Sequence, residues 1–166
     1  MTTAAEKLIR ERVADAGYRY SVLLLQSQWE SFTKNDLLPQ TNWEEAFFNS
    51  QNRKRIPTTA GIYAFAARPK VAAHNDHVYM MYVGKTKNLR KRFGQYLQEK
   101  KNPRRSREIT FFLNEYESCL WFTYKQVAEQ YHAEIELPLI RAMWPLVNEA
   151  GKALATPLHE KARTAF

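Results

Sequence analysis

Two short runs rich in aromatic and branched side chains, Gly61 to Ala66 and Val78 to Gly84, precede a basic stretch from Asn88 to about Glu99. Side chains of that type suit the pleated, half-buried surface of a strand. The runs predict two strands, and the connector Ala67 to His77, carrying Pro69, Asn75 and Asp76, predicts a long hairpin loop. Beyond it, Asn88, Arg92 and Tyr96 are spaced to share one face of a helix. Gly84 predicts a tight strand-to-helix turn, with the helix N-terminus beyond it suited to a phosphate.

The rest of the chain gives weaker signals. Thr3-x-x-Glu6 has the form of a capping box, and Leu8, Ile9, Arg12, Val13 and Ala16 keep a helical period up to Gly17. Residues 18–35 alternate as a strand would from Tyr18 to Leu24, yet with Trp29 and Phe32 they also suit a buried helix. Both readings stay open. Thr41-Asn42-Trp43-Glu44 predicts a second capped helix ending near Arg53. Ile109 to Leu113 and Leu120 to Tyr124 predict further strands, and Gln126 to Met143 a helix interrupted at Pro138.

The net charge of +8 is concentrated. Lys85, Lys87, Arg90, Lys91, Arg92, Lys100, Lys101, Arg104, Arg105 and Arg107 share their segment with one acid, Glu99. One localised basic patch favours a polyanionic partner over a merely solvated helix, because each neutralised phosphate releases counterions. Hydrophobic residues make up 45% of the chain, enough for a real core and too many for wholesale disorder. The lone Cys119 excludes an internal disulfide and reads as a buried thiol in a reducing, cytoplasmic setting. No apolar run approaches the ~20 residues that cross a bilayer, so no membrane association is expected. His74, Asp76 and His77 lack further ligand-type neighbours in sequence and read as a polar hairpin tip.

Three separated blocks carry a resemblance. Gly61-Ile62-Tyr63, then Tyr82-Val83-Gly84-Lys85 through Arg92 and Tyr96, then Glu136-Leu137-Pro138-Leu139-Ile140 with Pro145 and Asn148, together resemble the GIY-YIG nuclease family. The stretch 82–97 looks like the N-terminal nuclease domain of the excision repair incision subunit. The resemblance implies an α+β fold, a short, mainly antiparallel three-stranded sheet flanked by helices, over residues 56–150. An N-terminal, mainly helical lobe at 1–55, for recognition or dimerisation, and a tail at 151–166 complete the expected organisation.

It also implies roles. Tyr63 is the leading residue to orient or deprotonate the attacking water, and Tyr82 supports it. Arg92 binds the scissile phosphate, and Glu136 holds one divalent ion, Mg2+ with Mn2+ as a substitute, although Glu134 competes as ligand. Lys85, Tyr96 and Asn148 line or close the site. From the charge pattern, Lys87, Arg90, Lys91, Lys100, Lys101, Arg104 and Arg105 are the expected nucleic-acid contacts. The expected activity is a metal-dependent DNA endonuclease leaving 5′-phosphate and 3′-hydroxyl ends, with RNA left open as a substrate. One site per chain cuts one strand, so double-strand cleavage calls for a homodimer or sequential nicking. The alternative is a non-catalytic nucleic-acid-binding module that keeps the fold. Tyr63 and Tyr82 stand 19 positions apart, longer than the family's usual spacing, which the long hairpin would absorb.

Overall fold

The computed structural model describes residues 43–70, 77–101, 107–143, 145, 147 and 148. Strands β1 (Glu44–Phe47), β2 (Gly61–Ala67), β3 (Tyr79–Thr86) and β4 (Leu120–Gln126) form one sheet in the order β1-β4-β2-β3. Every pairing is antiparallel. Helices α1 (Leu89–Lys101), α2 (Arg107–Glu115) and α3 (His132–Met143) flank the sheet, with 3-10 turns at Gln51–Arg55 and Glu129–Tyr131.

β2 lies in the middle and is buried along its whole length, which is why Gly61–Ala67 reads as a continuous apolar run instead of an alternating one. Its odd-numbered side chains, Tyr63 and Phe65, face α1 and α2 in a core with Phe93, Tyr96, Phe112, Leu113 and Phe122. Its even-numbered side chains, Ile62 and Ala64, face α3 through Val83, Ile135, Leu139 and Ile140. Period-two alternation therefore assigns the two faces of one strand to two separate cores.

The long interval between Tyr63 and Tyr82 leaves the central pairing in register. Tyr63 stands opposite Gly84 and Phe65 opposite Tyr82, with an irregularity between Phe65 and Ala66 before Ala67 meets Tyr79. Part of the extra length thus lies beyond that last pair. The tip of the connector, residues 71–76, lies outside the described residues and includes His74 and Asp76.

Several expectations need correction. The sheet has four strands, not three, because Glu44–Phe47 pairs with β4 where a capped helix was expected. Only the short 3-10 turn at Gln51–Arg55 follows it, held by Asn52, whose N–H meets Asn49 Oδ1 at 2.9 Å and whose Nδ2 donates to Phe47 O at 3.0 Å. The expected helix at Thr3–Gly17, the ambiguous 18–35 and the tail 151–166 lie outside the described residues.

Ile109–Leu113 is helical, within α2, and not a strand. Its branched and aromatic content suggested a strand, but Ile109, Phe112, Leu113 and Tyr116 fall at helical spacing and pack against the main core together. Pro138 sits inside α3 without ending it. A proline there removes one backbone hydrogen bond, and burial of Ile135, Leu139 and Ile140 on either side holds the helix against that loss.

Candidate active site

Gly84 is not at a turn. It lies within β3 directly across from Tyr63, and a Cβ there would fall 2.6 Å from the Tyr63 hydroxyl, 2.7 Å from its Cζ and 3.0 Å from the Tyr82 ring. The glycine exists to let the Tyr63 phenol cross the strand. That phenol is 2% exposed and its hydroxyl lies 2.8 Å from the Tyr96 hydroxyl, which α1 supplies from above. Tyr82 completes a triangle of rings, with centroids 6.2 Å from Tyr63 and 6.3 Å from Tyr96. Of the three, Tyr82 alone is partly open to solvent.

Burial pushes the Tyr63 phenol well above its ordinary value of 10, and the neighbouring phenols of Tyr96 and Tyr82 push the same way. Burial likewise raises Tyr96, with Tyr82 adding to it. Arg92 is the opposing cation in both cases. The Arg92 Nε is buried and has no hydrogen-bond partner. A guanidinium N–H left unpaired inside a protein is costly and calls for an acceptor.

These raised phenols make stability pH-dependent. The folded state favours the neutral form, so that contribution is complete below the unfolded value of about 10 and is lost as pH rises towards the folded values. An absorbance titration at alkaline pH should show Tyr63 and Tyr96, two of the nine tyrosines, ionising only together with cooperative unfolding, and Tyr124, pushed up to about 12 by burial, ionising late. Tyr63→Phe and Tyr96→Phe should each flatten the loss of stability above pH ~10. Smooth ionisation of every tyrosine near pH ~10 in the folded chain would contradict the buried pair.

On the other face of the sheet, Lys85 Nζ lies 2.9 Å from Glu136 Oε2 of α3. Lys85 follows Gly84 on β3, so alternation turns it away from the tyrosines and toward α3. Between the two groups, Asn148 is clamped to the outer edge of β3. Its Oδ1 accepts from Val83 N and its Nδ2 donates to Val83 O, both at 2.8 Å, while Val147 N donates to Met81 O at 2.9 Å. The tyrosine–arginine cluster and the Lys85–Glu136 pair thus flank the same edge strand, and Asn148 occupies main-chain groups that strand would otherwise leave open. Glu134 is exposed, whereas Glu136 is the carboxylate turned to β3.

The helix N-terminus is not a phosphate site. Leu89 N donates to Thr59 O, Arg90 N to Pro57 O, Lys91 N to Asn88 Oδ1 and Arg92 N to Asn88 O. All four leading N–H groups of α1 are therefore satisfied within the chain. Asn88 serves as the cap.

The basic residues fall into different settings. Arg90 turns inward, giving Nε to Ile56 O at 2.6 Å and Nη2 to Lys54 O at 3.1 Å. Lys87 pairs with Glu129 at 2.7 Å and Lys100 pairs with Glu117. Lys91 and Lys101 are exposed, and Arg104 and Arg105 lie outside the described residues. The sequence reading overlooked Arg53-Lys54-Arg55 on the first 3-10 turn, although three consecutive cations before Pro57 were visible. Cys119 is partly buried against the main core, and Trp121 is covered by the Arg68 guanidinium 5.1 Å from its ring centre.

The edge strand β3 is thus flanked by two buried phenols and the Arg92 guanidinium on one face and by the Lys85–Glu136 pair on the other. Residues 59–148, more than half of the chain, match the family model of the UvrC-like GIY-YIG domain, and the chain belongs to that family. Among solved structures it is similar to the GIY-YIG N-terminal endonuclease domain of UvrC from Thermotoga maritima, a point mutant bound to its catalytic divalent cation. That likeness runs at 22% identity over 60% of this chain and 98% of the other, with a TM-score of 0.41. No match emerges among curated proteins. No helix among the described residues is long and apolar enough to cross a membrane.

Proposed function

We propose that this chain is a divalent-metal-dependent endonuclease that nicks DNA. Arg92 carries the reading: its buried Nε lacks a partner and it stands beside the buried phenols of Tyr63 on β2 and Tyr96 on α1. Arg92 as a whole is only half-buried, and the fork of a planar guanidinium matches phosphate better than an ammonium does.

Tyr82, outermost of the three phenols, orients the attacking water. Tyr63 keeps its proton and holds Tyr96 in place, because burial opposes its phenolate. The water oxygen bonds to phosphorus as the bond to the 3′-oxygen breaks. The water gives up one proton and the departing 3′-oxygen gains one, leaving 5′-phosphate and 3′-hydroxyl ends. Arg92 balances the charge that gathers on the phosphoryl oxygens.

Glu136 fits a single hard cation. Its donors are oxygens, Lys85 engages Oε2 and leaves Oε1, and no cluster of three His, Cys, Asp or Glu groups stands elsewhere among the described residues. One carboxylate suits Mg2+, or Mn2+ in its place, because such an ion keeps several waters and takes oxygens from the substrate. Bound there, the ion would neutralise phosphate charge and acidify a water. Lys91 and Lys101 are exposed, pair with no carboxylate among the described residues and are placed to meet the DNA backbone, and residues 1–55 are proposed to recognise DNA or to dimerise.

Plasmid nicking tests the proposal. Supercoiled DNA should relax only when Mg2+ or Mn2+ is present, and DNA ligase should reseal the nicks. Glu136→Gln should slow nicking by about 10²-fold or more. Undiminished nicking in EDTA and by Glu136→Gln would defeat the metal-dependent reading. Salt-sensitive DNA binding without cleavage in any metal would favour the binding-module alternative.

A further inference from the structure

Among the described residues, several cations of the basic segment are already engaged, whereas a second basic group lies before Pro57. Between Lys85 and Arg107, Lys85, Lys87 and Lys100 each face a glutamate, and Arg90 is spent on backbone carbonyls. Arg53, Lys54 and Arg55 are all exposed, and none of them pairs with a carboxylate among the described residues. Arg55 and Glu44 both act on the Tyr124 phenol, and the two Glu44 oxygens already accept from the Tyr124 hydroxyl and the Gln126 amide.

The turn is also fixed in place against α1. Arg90 grips Ile56 O and Lys54 O, and Arg90 N takes Pro57 O, so the backbone of the turn is tied to the first turn of the helix. Arg53 then lies flat over Gly94. A Cβ at that position would stand 2.8 Å from Arg53 Nε and 2.9 Å from its Cζ. A glycine in mid-helix costs stability in isolation, and here it opens the bed in which the guanidinium rests.

At 3.6 residues per turn, the outer surface of α1 runs from Arg92 through Gln95 and Lys91 to Gly94. Arg92, Lys91 and Arg53 therefore form a path round the helix, which Lys54 and Arg55 continue. A helix is about 10–12 Å across, and one DNA strand advances about 3.4 Å per phosphate. The path is long enough to meet more than one phosphate of a strand.

We propose that the DNA backbone leaving the Arg92 site crosses the outer face of α1 and is held by Arg53, Lys54 and Arg55. The inference rests on the nuclease reading above and assigns that site a substrate track on the flank before Pro57.

The test measures binding of a short labelled duplex to the full chain by fluorescence anisotropy in EDTA, from ~50 to ~200 mM salt. It compares the wild type with the triple variant R53Q/K54Q/R55Q and with Arg141→Gln. Arg141 is an exposed residue of α3, on the opposite side of the sheet. The triple variant should bind at least ~10-fold more weakly at the middle of that range, and its slope of log K against log salt should be shallower by about 2 to 3. Arg141→Gln should keep the wild-type slope, and circular dichroism should show all three proteins folded alike.

A triple variant with the wild-type slope, in a protein that still nicks DNA, would overturn the track and leave the nuclease reading standing. An equal loss of slope from Arg141→Gln would also overturn it, by showing that general charge governs binding. A wild type that neither binds nor cuts DNA would defeat the track and the nuclease reading together.

Discussion

Arg92→Ala should reduce nicking by about 10³-fold while the thermal midpoint stays within a few degrees of wild type. Most mutations of half-buried arginines lose packing and hydrogen bonds together. Here the Nε has no protein partner to lose, so the folded state forfeits little. Alanine is also the best helix former, which favours α1. The deficit should therefore sit in turnover and not in folding. Arg92→Lys restores the charge without the planar fork and should recover only a small part of the rate. Nicking by Arg92→Ala within about threefold of wild type would remove Arg92 from phosphate binding, because a transition-state contact of this kind carries far more than that.

Gly84→Ala should be as damaging, by a different route. The added methyl meets the Tyr63 hydroxyl at 2.6 Å and Cζ at 2.7 Å, inside van der Waals contact. Tyr63 cannot yield, since its ring stacks on Phe122 at 5.2 Å and packs edge-on to Phe65 and Tyr96. Overpacking of this kind costs about 1–3 kcal/mol, and loss of the Tyr63–Tyr96 bond adds about 1 kcal/mol. For a chain of 166 residues each kcal/mol lowers the midpoint by about 2–4 °C, so a fall of about 5–15 °C is expected with most of the activity lost. Gly94→Ala supplies the contrast. Its methyl meets the end of exposed Arg53, which can swing aside, so that variant should match or exceed wild-type stability. A thermal midpoint for Gly84→Ala equal to wild type would show that Tyr63 is not confined as described.

Much of this frame was readable from residue order. β2, β3 and β4 were legible from their aromatic and branched content, and α1 because its residues keep one helical period over a full element. Two elements misled for a shared reason. Glu44–Phe47 is four residues long, too short for a period to show, and only pairing with β4 makes it a strand. Ile109–Leu113 has the composition of a strand, but α2 forms because its apolar residues meet the core at helical spacing. Pro138 argued for a broken helix, and burial on both sides of it prevailed.

The site divides in the same way. The family resemblance brought Tyr63, Tyr82, Arg92, Glu136 and Asn148 forward together, and the family model matches over 59–148. It did not show that Gly84 yields its space to a phenol, that Asn88 and the 57–59 backbone cap α1, or that Asn148 spends its amide on the edge of β3. Nor could it separate the paired lysines from the open Arg53-Lys54-Arg55 turn. A sequence lists charges and donors one by one. Whether each is satisfied depends on groups far along the chain, and only tertiary packing brings those into reach.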